Sequence, residues 1–419
     1  MPDDGGVMDA RTAAWLTSPD AAPLLALAGD AQAAGTSELT LQTTLRAAGH
    51  SPEQVAAVMA LAAARRRAVD KFGPTAGSLF LTPDGAEQAT RPQLAVRHAA
   101  RFTAAGVTDV IDLGCGVGSD AAAFAAAGLG ALAVEIDPVT ATFAAANLAP
   151  WPRARVVAGR AEDIALPAGL AARHTGLWVD PGRRTAGVAD VRGHTRRVFR
   201  LDGMSPSWDD VCAWAARIPA TGAKLSPAFP HGAVPDGAEA QWTSWRGEVL
   251  ECAIWWGPLA HVAGRTAAVC RPGADPDIVT EADAAAGEAG SSEPVTSPAG
   301  LGPWLWEADR AIVRAGLTGA MPGRELGRGM GLTTGRLPVD LPWTRRYAVV
   351  EALPARTKVV RSWLRAHQVG ALTVKKRGSS VDPARFRADL GSLSGPESAT
   401  VLLTSAGQSS LAIILDSAP

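Results

Sequence analysis

The run Val110-Ile111-Asp112-Leu113-Gly114-Cys115-Gly116-Val117-Gly118-Ser119-Asp120, followed by Ala133-Val134-Glu135-Ile136-Asp137-Pro138, constrains this chain more than any other. Val107, Val110 and Ile111 make a short apolar strand that enters a turn, and the turn's glycines let backbone amides approach a ligand where a Cβ would stand in the way. An alanine-rich helical segment then leads to a second apolar strand that ends in an acid. Glu135 lies 21 residues after Gly114, the offset at which a carboxylate closing the next strand can take both hydroxyls of a ribose. Together, strand, acid, three glycines, helix, strand and acid read as a nucleotide-cofactor site. A dinucleotide fingerprint would have its third glycine at position 119, where Ser119 stands. Here it comes one residue early, at Gly118, with Asp112 two residues before the first glycine.

A chain of 419 residues, 47% hydrophobic and 19% charged, is long enough for two or three domains with well-filled cores. Residues 121–136 are mostly apolar, but Gly128 and Gly130 divide them into a helix and a strand too short to span a bilayer. The start, Met1-Pro2-Asp3-Asp4, is acidic and lacks a basic region before an apolar core, so no signal peptide is expected and the cytoplasm is the expected compartment. Cysteines 115, 212, 252 and 270 form no metal-ligand pair and the seven histidines are scattered, so neither a metal site nor a disulfide framework is expected. Cys115 suits the glycine turn as a small side chain.

The formal net charge of −1 hides an asymmetry. Between Arg345 and Arg387 eleven basic residues face two acids, Glu351 and Asp382, a local charge of +9 that leaves −10 for the rest. Such a concentration is what a phosphate backbone requires.

Residues 8–70 carry helical periodicity: 13–27, 39–48 and 52–69, the last opened by Ser51 with Glu53 in its first turn. A helix over 92–104 feeds the first strand, and further strands are expected at 155–158, 176–179 and 222–225. Two longer strands, 245–256 and 266–270, suggest an antiparallel hairpin around Gly257-Pro258 at one sheet edge. From Pro272 to Gly300 there are six acids and no lysine or arginine, the composition of a linker. Trp304 to Gly316 reads as a helix, and 345–416 alternates strand and helix patterns. The expected domains are a helical N-terminal region (1–92), a cofactor domain (93–271), an acidic flexible linker (272–302) and an α+β domain (303–419).

The D-x-G-x-G-x-G form of Asp112, Gly114, Gly116 and Gly118 resembles motif I of the class I S-adenosylmethionine-dependent methyltransferases. The resemblance covers about 95–271 and implies an α/β fold with a doubly wound Rossmann-like sheet. It also implies that Asp112 helps hold the methionine portion, that the glycines approach it, and that Glu135 holds the ribose. The family's acid after the third strand, which meets the adenine amine, has Arg160 at its usual place, leaving Glu162 or Asp163 for the role. At the end of the fourth strand, Asp180-Pro181-Gly182-Arg183-Arg184 resembles the [DN]PP[YF] motif of base-amine methyltransferases without its second proline and aromatic, and is closer to the DPxR of some RNA methyltransferases. That likeness gives Asp180 and Pro181 to catalysis and Arg183 and Arg184 to the substrate. In the last 70 residues or so, the order of elements and the Lys375-Lys376-Arg377-Gly378 turn resemble a THUMP-like domain, and the whole chain resembles an uncharacterised bacterial family of THUMP-like class I methyltransferases.

The expected function is S-adenosylmethionine-dependent methylation of an RNA base in tRNA or rRNA, with Lys375, Lys376 and Arg377 gripping phosphates. A small-molecule methyltransferase, a protein methyltransferase and a non-catalytic RNA-binding protein stay open.

Overall fold

A computed structural model describes residues 8–183 and 201–417. They fall into two compact units, one running to Lys224 and including Trp255–Ala260, the other made of Leu225–Ile254 and the chain from His261 onward.

The first unit opens with helices α1 (Ala10–Leu16), α2 (Ala22–Ala33), α3 (Glu38–Ala47) and α4 (Pro52–Phe72). The expected helix over 13–27 is two helices, because Pro19 lacks an amide hydrogen and begins a single 3-10 turn between them. Ser51 and Gln54 close a capping box at the start of α4, and its Val55, Val58 and Leu61 bury against Leu16, Leu24, Leu41 and Leu45. Helices α5 (Pro83–Gln88) and α6 (Pro92–Ala104) lead to β1 (Asp109–Leu113), α7 (Ser119–Ala126), β2 (Gly130–Glu135), α8 (Pro138–Leu148) and β3 (Ala154–Ala158). Then come α9 (Leu170–His174), β4 (Thr175–Val179), the two-residue strands β5 (Gly182–Arg183) and β6 (Met204–Ser205), α10 (Trp208–Ala215) and β7 (Ala220–Leu225).

The strands stand in the order β7-β4-β1-β2-β3 and every pair in that run is parallel. The chain moves outward from β1 through β2 to β3 and returns to the other side of β1 as β4. The switch point therefore lies between β1 and β4, where an open α/β sheet places its ligands, just beyond the carboxyl ends of the strands.

The second unit carries β8 (Glu239–Trp245), β9 (Glu248–Trp255), β10 (Gly264–Cys270) and β11 (Asp277–Thr280), then α11 (Glu281–Ala286) and α12 (Glu288–Ser291). The expected hairpin of 245–256 with 266–270 is not formed. β8 and β9 are sheet neighbours joined at Arg246-Gly247, both at positive φ, while β10 lies parallel to β8 and antiparallel to β11. Nor is 272–302 structureless: β11 pairs through Asp277–Thr280, and Thr280 with Asp283 closes a capping box on α11.

The unit continues with β12 (Trp304–Ala308), α13 (Arg310–Ala315), β13 (Arg324–Glu325), β14 (Leu332–Gly335), β15 (Thr344–Pro354), α14 (Thr357–Ala366), β16 (Val369–Lys376), α15 (Pro383–Asp389), β17 (Glu397–Ala406) and β18 (Ser409–Ser417). Trp304–Gly316 is thus a strand followed by a short helix, broken where the Asp309 side chain accepts from Ala311 N at 2.8 Å. The sheet order is β13-β14-β12-β15-β18-β17-β16, with β16 and β17 parallel. Val360, Leu364 and Phe386 of α14 and α15 bury with Val401, Leu403 and Ile414 of the sheet.

Candidate functional site

Asp112 is the fourth residue of β1, and the turn after it holds Gly114, Gly116 and Gly118 at φ of 84°, 55° and 86°. Only glycine adopts these angles without strain. The three positions are constrained differently. A Cβ on Gly114 would collide with the backbone oxygen of Asp180, and one on Gly118 would pack on Leu148 and Ala144, whereas one on Gly116 would meet open space. Glu135 ties the turn to β2: its carboxylate accepts from Gly116 N at 3.0 Å and from Asp137 N at 2.9 Å. Asp137 caps α8 by accepting from Thr140 N.

Asp112 is 1% exposed and neither carboxylate oxygen has a hydrogen-bond partner. Burial, with Asp120, Asp180 and Glu135 nearby, raises its carboxyl well above the usual carboxylate range against the opposing pull of Lys224. A buried acid without a partner has a cation as its complement. Burial also pushes the Cys115 thiol well up, the opposite of what a reactive cysteine needs.

Asp180 follows β4, and its backbone N donates to Leu113 O at 2.9 Å, so it sits against the glycine turn. Its Oδ2 accepts from Lys224 Nζ at 2.5 Å, and Lys224 also donates to Thr90 Oγ1 at 2.9 Å. The Thr90 hydroxyl donates to Asp120 Oδ2 at 2.6 Å, and Asp120 Oδ1 stands 2.8 Å from His98 Nδ1. The His98 ring lies 4.5 Å from that of Trp178, two residues before Asp180. Burial alone would raise Asp120, but His98, Lys224 and the Thr90 hydrogen bond hold it below its ordinary value. A polar chain therefore runs from the first turn of α7 to Asp180. The sequence reading missed Lys224, Thr90, Asp120 and His98, which are far apart along the chain and share no motif. Only a lysine within a strand expected to be buried hinted at them.

The remaining expected residues are dispersed. Pro181 follows Asp180, and β5, with Gly182 and Arg183, pairs antiparallel with β6. Arg184 lies outside the described residues. Glu162 and Asp163 form an exposed 3-10 turn, and Glu162 is engaged by Arg160 at 3.0 Å. The Lys375-Lys376-Arg377 turn is not the free basic grip the sequence suggested. Lys375 Nζ lies 2.5 Å from both Glu307 Oε2 and Tyr347 OH, and Arg377 lies 3.4 Å from Glu307 Oε1 and donates to Met330 O. Burial would raise Glu307, but the Lys375 hydrogen bond and both cations bring it below its ordinary value. Of the three basic residues, Lys376 is exposed. Among the described residues no group of three or more histidines, cysteines or acids could hold a metal ion, and no helix is long and apolar enough to cross a membrane.

These features fit S-adenosylmethionine: an orphaned buried acid for an ammonium group, a positive-φ backbone turn for close approach, and a carboxylate closing β2 for a ribose. Comparison with known proteins agrees. Residues 344–417 match a family described as THUMP domain-like, and residues 9–68 match a domain of unknown function (DUF8688). An uncharacterized S-adenosylmethionine-dependent methyltransferase of Mycobacterium tuberculosis H37Rv is 30% identical over 369 residues, 83% of this chain and 92% of the relative, and the counterpart in strain CDC 1551 matches equally. A solved structure from Porphyromonas gingivalis W83, provisionally described as a methyltransferase, has the same fold, with a TM-score of 0.65 at 18% identity over 88% of this chain and 92% of that one. The chain belongs to the S-adenosylmethionine-dependent methyltransferases and ends in a THUMP-like domain.

Proposed function

We propose that this methyltransferase acts on RNA, a base of tRNA or rRNA being the acceptor. The observation that carries the reading is the coincidence of the THUMP-like match, residues 344–417, with the +9 segment 345–387. Bound S-adenosylmethionine supplies an electrophilic methyl group, so the protein's tasks are alignment and removal of any proton the nucleophile carries.

In this reading Asp112 meets the cofactor's ammonium group, the turn at Gly114, Gly116 and Gly118 accommodates the methionine portion, and Glu135 holds the ribose. Asp163 serves the adenine amine, since Glu162 is engaged by Arg160. Asp180 and the Pro181 carbonyl face the acceptor, with Arg183 and Arg184 beside the nucleotide. Lys224 supports the role of Asp180 by holding its carboxylate as one half of an ion pair at the switch point.

Modified nucleosides from total tRNA and rRNA, compared by mass spectrometry between cells with and without the gene, test the reading. One methylated nucleoside should disappear and return on complementation. Identical nucleoside profiles would overturn it.

A further inference from the structure

We propose that a concavity in the second unit, lined by Arg246, Arg271, Arg310, Arg345, Arg377 and Trp343, binds single-stranded RNA, the arginines taking phosphates and Trp343 stacking on a base. The assignment deepens the RNA reading above and depends on it.

Five guanidinium groups converge here from separate parts of the chain. Arg246 comes from the β8–β9 turn, Arg271 from the end of β10, Arg310 from the start of α13, Arg345 from β15, and Arg377 from just after β16. Two form the walls: Arg271 pairs with Asp277 and donates to Pro342 O at 2.6 Å, and Arg377 is bound to Glu307 and Met330 O. The other three are exposed and have no ion-pair partner among the described residues; Arg345 lies over the Tyr347 ring. The acids of the lining are already committed, Glu307 to Lys375 and Arg377, and Asp309 to the start of α13. Like charges gathered in one concavity repel, and an anion shared among them removes that repulsion. The guanidinium fork matches phosphate geometry.

Two further details favour a strand over a lone phosphate. Trp343 is half-buried and its backbone is tethered, its carbonyl accepting from Asp309 N at 3.0 Å and that of the preceding Pro342 from Arg271. It places an aromatic side chain on a tethered backbone in a lining rich in cations, the pairing that holds unpaired bases without sequence preference. The cavity of about 310 Å³ is in the range of small-ligand sites. Arg246, at φ 53° ahead of Gly247 at 82°, also occupies a turn position that asparagine or glycine would take with less strain. Arg345 and Arg377 belong to the +9 segment, while Arg246, Arg271 and Arg310 lie outside it, so charge counting along the sequence finds only part of the set.

The test uses the full chain and a fluorescent mixed-sequence 12-nucleotide RNA, with binding measured across a salt series. Arg246→Gln, Arg310→Gln and their double variant should weaken binding stepwise, and each should reduce the log-log salt slope by about 0.7. Trp343→Phe should keep most of the affinity and Trp343→Ala should lose it. Lys358→Gln with Arg365→Gln, exposed on α14 and within the +9 segment but outside the cavity lining, should weaken binding less than the Arg246 and Arg310 double variant does. Wild-type binding that survives in the arginine variants but fails in the α14 variant would overturn this site and leave the RNA reading standing. No wild-type binding at low salt would overturn both.

Discussion

At the scale of single residues, the site is governed by how each carboxylate is compensated. Asp112 is buried and unpartnered, with its carboxyl raised well above the ordinary value. For such an acid, the contribution to stability is full below its ordinary pKa and is lost as pH rises through the raised one, so the free protein should lose stability with rising pH on this account. A cation held at Asp112 favours the ionised form, and cofactor binding within that window should release a proton. Calorimetry in two buffers of different ionisation enthalpy should detect the release, and Asp112→Asn should abolish it. A buffer-independent enthalpy in the wild-type protein would contradict the role. Glu135→Ala should cost about 1.5–3 kcal/mol of cofactor affinity through lost charge-assisted bonds. Asp180 is compensated by Lys224. Lys224→Met should lower turnover while leaving cofactor affinity nearly intact, and Lys224→Arg should recover part of the loss. Equal loss of cofactor binding in the methionine variant would make Lys224 a structural residue only. The glycine turn and its two acids were legible in the sequence because local spacing defines them. The Lys224–Thr90–Asp120–His98 chain was not, because its members lie 134 residues apart between Thr90 and Lys224 and meet only when β7 takes its place beside β4.

At the scale of elements, the parallel strands and their helices follow their local signals closely; α6 has the ends expected from the sequence, 92 and 104. The misreadings share a cause. Trp304, Leu305, Ala308, Ile312 and Ala315 fit a helical period, yet the first three lie on β12, and the cap at Asp309 marks the change. The acidic composition of 272–302 concealed the Thr280–Asp283 box. β10 chose β8 as its parallel partner, a non-local pairing that no local pattern specifies. One glycine shows how tightly the elements meet. Gly222 on β7 pairs with Trp178 on β4, and a Cβ there would lie 2.7 Å from the Trp255 ring and 2.8 Å from Trp178, both fully buried. Gly222→Ala should therefore destabilise by about 1–3 kcal/mol in a denaturant titration. An unchanged midpoint would mean the tryptophans yield.

At the scale of the whole molecule, the first unit holds the cofactor turn and Asp180, while the second holds the THUMP-like domain and the arginine-lined concavity. Cofactor affinity should therefore depend on substitutions in the first unit and RNA affinity on those in the second, with methylation needing both. The central claim, methyl transfer to RNA supported by Asp180, is most directly measured by incubating the purified protein with methyl-tritiated S-adenosylmethionine and RNA from cells lacking the gene. The wild-type protein should incorporate label into RNA, and Asp180→Asn should reduce the rate by about 10²- to 10⁴-fold with cofactor affinity retained. Label that appears in protein or small-molecule fractions but not in RNA, or an Asp180→Asn rate equal to wild type, would contradict the account.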